Sequence, residues 1–257
     1  MTLVWKSGYS FDSDASTYID AVETADGQTL ETGVRIAIND FVLGCKQDGI
    51  WNAIKASCIL AGARTLGGAL VPLVGSAPTN NNFVSADYDR ETGLVGDGST
   101  KYLDSNRNNN VDPQDNFHAS TYATTGTGTT SVYLGAGPAT NEFGATNFGY
   151  NSGSPGGVFS RARCKASNLI ATTATSLVGV SRNQSSTYIL RTNKTSYTTN
   201  DASETPYNGN LIVFATTSGN FPTDARLAFY SIGESLDLAK LDTRVSNLIT
   251  AIGAAIP

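Results

Sequence analysis

What this 257-residue chain has little of narrows its chemistry more than what it has in plenty. Charged residues make up only 15 per cent of it, and it contains a single histidine, His118. With one histidine and three cysteines (Cys45, Cys58, Cys164), none of them in a C-x-x-C pair, a zinc-type site lacks its ligands. The odd cysteine count reads as buried free thiols, with no disulfide framework, in a chain made in a reducing cytoplasm. A Ser–His–Asp triad would have to use His118, yet no G-x-S-x-G elbow occurs. Gly135-Ala136-Gly137-Pro138 mimics the start of a dinucleotide loop, but Pro138 and the polar run after it offer no helix to receive a pyrophosphate. No stretch of about 18 apolar residues is present, so no membrane-spanning helix is expected. A net charge of −5 argues against nucleic acid or an anionic membrane as partner.

Thr, Ser, Asn and Gly take the place of charge. Residues 119–160 hold Glu142 as their only charged residue, and glycine-rich breaks alternate there with short apolar or aromatic runs at Ser131–Leu134, Glu142–Phe143 and Phe148–Tyr150. That pattern belongs to strands of an antiparallel sheet and carries almost none of the titratable groups that catalysis needs. From about Ala63 to Ile232 the apolar period is two. Strands are expected near 83–85, 94–96, 101–103, 116–123, 130–134, 176–181, 187–190, 211–215 and 226–232. Turn chemistry separates them at Asp97-Gly98, Thr192-Asn193-Lys194 and Asn208-Gly209, where positive φ is tolerated. Many short strands with no helix-length insert indicate a β-sandwich.

Both ends read as helical. Asp14 or Ser16 caps a first helix carrying Tyr18, Ile19 and Val22, and Thr29 or Thr32 opens a second with Val34, Ile38, Phe41 and Val42. Asp48 caps an expected third helix bearing Ile50, Trp51, Ile54 and Cys58. At the other end Ser235 caps a helix in which Leu238, Leu241, Val245, Leu248 and Ile252 recur at spacings of three and four. This apolar stripe either lies on its own domain or joins a second copy. The expected divisions are a helical attachment segment at 1–62, a sandwich at 63–234 and a terminal helix at 235–257. Ile38, Phe41 and the five stripe residues of the last helix are the assembly-interface candidates.

Few side chains suggest chemistry. His118, flanked by the core-facing Phe117 and Ala119, is expected on the opposite, surface or interface side. Glu91, Glu142, Glu204 and Glu234 are too scattered to form the paired carboxylates of a polysaccharide hydrolase or lyase, so no catalytic residue is expected. Asp104, Asn106, Asn108 and Asp115 echo the ligand spacing of a calcium loop, although Arg107 and the absence of the turn glycine favour a loop of Asx turns. No other cofactor is suggested. Tyr88, Tyr150, Tyr188, Tyr197 and Tyr207 are packing residues or stacking surfaces for a glycan.

Three further stretches carry a resemblance: Gly96-Asp97-Gly98-Ser99-Thr100-Lys101-Tyr102-Leu103, Asn208-Gly209-Asn210-Leu211, and Phe229-Tyr230-Ser231-Ile232-Gly233 running into the last helix. With the leader VETADGQTLETGVRIAINDFVLGCKQDGIW, they resemble the concanavalin-like (laminin-G-like) jelly-roll domains of tailed-bacteriophage structural proteins. The resemblance implies a non-enzymatic virion component (tail fibre, tail or head decoration), made in the host cytoplasm. Its implied partners are other virion proteins and further copies of itself, with a host-surface glycan as an optional third, and the alternative is a free-standing lectin-like module.

Overall fold

The computed structural model describes residues 11–137 and 144–257. Helices α1 (Ser13–Asp26) and α2 (Thr32–Gln47) lead into strand β1 (Ile54–Ile59) and the one-turn helix α3 (Leu66–Ala69). Short strands follow: β2 (Thr79–Asn81), β3 (Tyr88–Asp89), β4 (Gly93–Val95), β5 (Tyr102–Asn108) and β6 (Phe117–Thr125). Next come β7 (Ser131–Ala136), β8 (Ala145–Asn151), β9 (Gly157–Cys164), β10 (Asn168–Ile170) and β11 (Ser176–Arg182). The chain closes with β12 (Thr187–Thr192), β13 (Thr195–Asn200), β14 (Asn210–Val213), β15 (Arg226–Gly233) and helix α4 (Leu238–Ala255).

Two antiparallel sheets make the sandwich. One runs β13-β12-β11-β6-β15-β4-β3, with β1 also on β15, and the other runs β10-β9-β8-β7-β14-β5-β2. Leu103, Phe117, Leu134, Phe148, Val180, Leu190, Val213 and Leu227 fill the space between them. The eight-stranded sheet is buried on both faces, because its outer side chains Leu177, Ala228 and Phe229 pack under α1, α2 and α4 in a second apolar cluster. The molecule is therefore three layers deep, helices on one sheet and that sheet on the other.

The seven assembly candidates belong to that second cluster. Ile38, Phe41, Leu238, Leu241, Val245, Leu248 and Ile252 are all buried within the protomer. The stripe of α4 lies on its own sheet and is not a face offered to a second copy. The helices approach closely through small residues: a Cβ on Gly33 would sit 2.7 Å from the Ala255 Cβ. At the other end of this antiparallel pair Arg244 binds both carboxylate oxygens of Asp48.

Local chemistry shifts several boundaries. Asp12, not Asp14 or Ser16, caps α1 by accepting from the Asp14 N–H, and Gly27 ends it at φ 67°. Glu31 precedes α2 with no side-chain cap. Asp237 caps α4 by accepting from Ala239 and Lys240, while Ser235 instead binds Asn116. The expected third helix is a single 3₁₀ turn at Trp51–Ala53 followed by β1. Ala56, Cys58 and Leu60 alternate into the sandwich core, and this period of two outweighs the helix-like spacing of Ile50, Ile54 and Cys58. The Asn193-Lys194 turn, with φ 45° and 59°, links β12 to β13 as its sequence predicts.

His118 is also displaced from its expected setting. It does face away from Phe117 and Ala119, but that side of the sheet is covered and the ring is 0 % exposed. All three cysteines are free and buried, and burial pushes each thiol up to about 12. No helix among the described residues is long and apolar enough to cross a membrane.

Candidate functional site

Three layers leave one sheet face uncovered by any described helix: the outer face of the seven-stranded sheet. Residues directly opposite in an antiparallel ladder share a face, so the register defines what this face presents. One transverse row runs Val132–Gly149–Phe159–Leu169 across β7, β8, β9 and β10. It continues past Val132, whose N–H donates to the Phe221 carbonyl at 2.9 Å. The neighbouring row runs Thr79–Asp104–Ile212–Gly135–Asn147–Arg161 across β2, β5, β14, β7, β8 and β9. An apolar row thus lies beside a mostly polar one.

Where the rows meet, Thr130, Val132, Asn147, Phe159, Arg161 and Phe221 line a cleft of about 240 Å³. Phe221 is 47 % exposed and Leu169, beyond the cleft on the edge strand, 40 %. Phe221 is held at φ 51°, in a turn where Ser218 and Gly219 also have positive φ. A bulky residue in that region carries roughly 1–2 kcal/mol of strain, which the fold sustains while presenting the ring to solvent. Gly149, between Val132 and Phe159 in register, is glycine because the Ser131 carbonyl occupies the place of a side chain, 2.1 Å from where a Cβ would stand.

The polar side is organised by short contacts. Thr216 Oγ1 donates to Asn147 Oδ1 at 2.9 Å and lies against the Gly137 carbonyl. The Asn147 amide nitrogen has no protein hydrogen-bond partner although the residue is 2 % exposed. A Cβ at Gly135 would sit 2.1 Å from Asn147 Oδ1, so glycine there is what admits the amide. Arg161 is the one charged group among the lining residues, and burial lowers its pKa from the usual guanidinium value. At the other margin Thr130, Asn151 and Ser152 are joined by hydroxyl and amide contacts.

The calcium candidates do not converge. Asp104, Asn106 and Asn108 lie on β5, not in a loop, and turn to separate partners. Asp104 accepts from Asn210 and from the Asn106 N–H, Asn106 donates to the Ala77 carbonyl, and Asn108 binds Asn208. Asp115 lies beyond a turn held by cationic side chains. The fully buried Arg163 donates to the carbonyls of Asn109, Asp112 and Pro113 and stacks 4.0 Å from the Phe117 ring centre, while Arg107 pairs with Asp112. A guanidinium collects the loop carbonyls that a metal ion would otherwise gather. Among the described residues no group of three or more His, Cys, Asp or Glu is placed to hold a metal.

The other suggested site residues disperse too. Tyr188 is buried against Ser160, and Tyr88, Tyr150, Tyr197 and Tyr207 pack against the sandwich core. Glu91 is exposed in the β3–β4 turn, Glu204 accepts from the Gly144 N–H, and Glu234 pairs with Lys55. Glu142 lies outside the described residues. Sequence reasoning missed Phe159, Leu169, Phe221, Asn147 and Arg161. The alternation of Phe159 and Arg161 with core-facing Val158 and Ala162 carried the signal, but only knowledge of which sheet face is uncovered makes it readable.

No family model matches the chain, and no curated protein does. Among solved structures it is similar to the binding domain of botulinum neurotoxin serotype D, with 12 % identity and a TM-score of 0.48 over 76 % of this chain and 52 % of that one. A Trypanosoma rangeli sialidase mutant displaying trans-sialidase activity follows, with 12 % identity and a TM-score of 0.42 over 84 % and 39 %. Domain 4 of a GH43 extracellular arabinanase from Geobacillus stearothermophilus, in complex with arabinotriose, has 11 % identity and a TM-score of 0.37 over 68 % and 82 %. The chain spans about half the length of the first of these and less of the second. These likenesses assign no role.

Proposed function

We propose that this chain is a non-enzymatic saccharide-binding β-sandwich whose site is the outer face of the seven-stranded sheet. One observation carries the reading: Phe221, 47 % exposed, stands with the half-buried Phe159 on a cleft that the Asn147 amide, the Thr130 hydroxyl and the Arg161 guanidinium also line. A pyranose ring has the matching anatomy, with a C–H face that packs on an aromatic ring and an equatorial belt of hydroxyls that exchange hydrogen bonds. None of the described lining residues is a carboxylate, so this cleft does not offer the two acids that glycoside hydrolysis uses.

The motifs shared with phage jelly-roll proteins supply the setting. The chain is a tail-fibre, tail or head-decoration component that enters the virion from the host cytoplasm, contacts other virion proteins and presents the site in many copies. Repetition on a particle raises a weak single-site affinity by about 10² or more. The test is a glycan array probed with a multimerised wild type and with Phe221→Gly. Glycine accepts the left-handed backbone at position 221, so the variant should keep its fold, with thermal melting as the check, while losing glycan binding. Equal binding by both proteins would reject the site. Absence of the chain from purified particles, by mass spectrometry, would reject the setting.

A further inference from the structure

We infer that Asn208 is a site of spontaneous covalent modification, at which the side-chain amide is lost as ammonia and an acid takes its place. The inference is independent of the saccharide reading. Asn208-Gly209 is the one Asn-Gly pair in the chain. In such a pair no side chain shields the backbone nitrogen of the glycine, which lies within reach of the asparagine Cγ. Asn208 is exposed, in the bend that leads into β14. The fold keeps its neighbour a glycine, because a Cβ at position 209 would stand 2.5 Å from the packed Tyr207 ring.

The side-chain oxygen is already held for the reaction. Asn208 Oδ1 accepts from Asn108 Nδ2 at 2.9 Å and from Asn110 Nδ2 at 3.3 Å. The orientation is fixed from outside: the Asn110 backbone N–H donates to Asn108 Oδ1 at 3.0 Å, which turns Asn108 Nδ2 toward Asn208 as a donor. Between the two donors the Asn109 N–H binds the Gly209 carbonyl at 2.9 Å and pins the segments together. As the Gly209 nitrogen bonds to Cγ, negative charge develops on Oδ1, and two donors on a developing oxyanion lower the barrier to forming it. The Gly209 N–H gives up its proton, the Cγ–Nδ2 bond breaks, and the amide leaves with that proton as ammonia, so a five-membered succinimide remains. Water then opens the ring at either carbonyl, to aspartate or to isoaspartate, with no oxidation or reduction. Either product adds one negative charge to a chain of net charge −5. A side-chain carboxylate at position 208 would keep both amide donors, now as charge-assisted hydrogen bonds.

The experiment incubates the full chain at mildly alkaline pH, folded and unfolded in guanidinium chloride, and follows acidic isoforms by ion exchange and peptide mass spectrometry. Wild type is compared with Asn108→Ala and with Asn110→Ala, whose side chain is exposed, and thermal melting checks that each variant is folded. The first acidic isoform of folded wild type should map to Asn208 and form at least as fast as in the unfolded chain. Asn108→Ala should slow it about fivefold in the folded chain, as expected for one lost hydrogen bond, and leave the unfolded rate unchanged. Asn110→Ala, with the longer contact, should slow it less. Amide loss at Asn208 more than about tenfold slower in the folded chain than in the unfolded one would show that the two donors protect the side chain, and would overturn the inference. So would a faster reaction in folded Asn108→Ala, or a first isoform that maps to another asparagine.

Discussion

His118 makes stability depend on pH in a window where no other side chain of the protein ordinarily titrates. The carbonyl of Glu234 can only accept, so Nδ1, 2.5 Å away, carries the proton, and Nε2 accepts from the Ser231 hydroxyl at 2.7 Å. The ring is fully buried, and burial, reinforced by the charge of Arg107 and only partly opposed by the Glu234 hydrogen bond, lowers its pKa to about 4. In the unfolded chain the same ring titrates near 6.5. Below that value the unfolded state takes up a proton that the folded state refuses, so stability falls as pH falls. Between pH 7 and pH 5 the linkage amounts to roughly 2 kcal/mol, and full expression below pH 4 to roughly 3 kcal/mol.

Carboxylates held low by hydrogen bonds, such as Asp97 against three backbone N–H groups and Asp12 against Lys46, lose their contribution only as pH drops below about 5. With one histidine in the chain, the upper window belongs to His118. The assay is urea unfolding at half-unit pH steps from 7 to 5, for wild type and His118→Asn. Asparagine keeps a donor toward Glu234 and cannot titrate. Wild type should lose stability on a slope that steepens toward 1.36 kcal/mol per pH unit, and the variant, whatever its absolute stability, should be flat. A flat wild type, or the same slope in His118→Asn, would refute the reasoning.

Two further outcomes follow from buried contacts. Replacing Arg163 with Met leaves the carbonyls of Asn109, Asp112 and Pro113 without their donor and should cost about 3 kcal/mol, with added calcium giving no rescue in thermal melting. Leu241→Ala removes a fully buried side chain between α4 and the eight-stranded sheet, so it should cost about 2–5 kcal/mol in chemical unfolding while light scattering finds the wild-type mass unchanged.

The sandwich was legible because its strands announce themselves twice, by alternation and by the turns between them. Asp97-Gly98 and Asn193-Lys194 occupy turns as their side chains require; the strand expected at 101–103 starts at Tyr102 but runs on to Asn108, and β13, after the second turn, has no counterpart among the expected strands. β1 was illegible because its inward residues, Ala56 and Cys58, are small and weakly apolar, whereas Ile50, Trp51 and Ile54 dominate any helical count. His118 was half legible. Its parity on β6 followed from Phe117 and Ala119, but parity says only which face a residue takes, and whether that face is wet depends on helices more than 60 residues away in sequence. The calcium-like spacing misled for a related reason: it counted side-chain oxygens that β5 turns to separate partners, while the loop's carbonyls are taken by Arg163, which comes from β9.

The same dependence on distant elements explains why the site could not be read from motifs. Phe159 and Phe148 are both aromatic residues on neighbouring strands of a polar, glycine-rich stretch, and nothing local distinguishes a core ring from an outward one. The difference is fixed by α1, α2 and α4, which cover the eight-stranded sheet and leave only the other sheet's outer face to solvent. Exposed apolar side chains such as Phe221 and Leu169 cost solubility and help no core. Beside Phe221, itself held at a strained φ, stands the Asn147 amide, whose oxygen is held by Thr216 and admitted by the glycine at 135 while its nitrogen lacks a protein partner. An occupant with a C–H surface on one side and hydrogen-bonding groups on the other would meet the ring and the amide together.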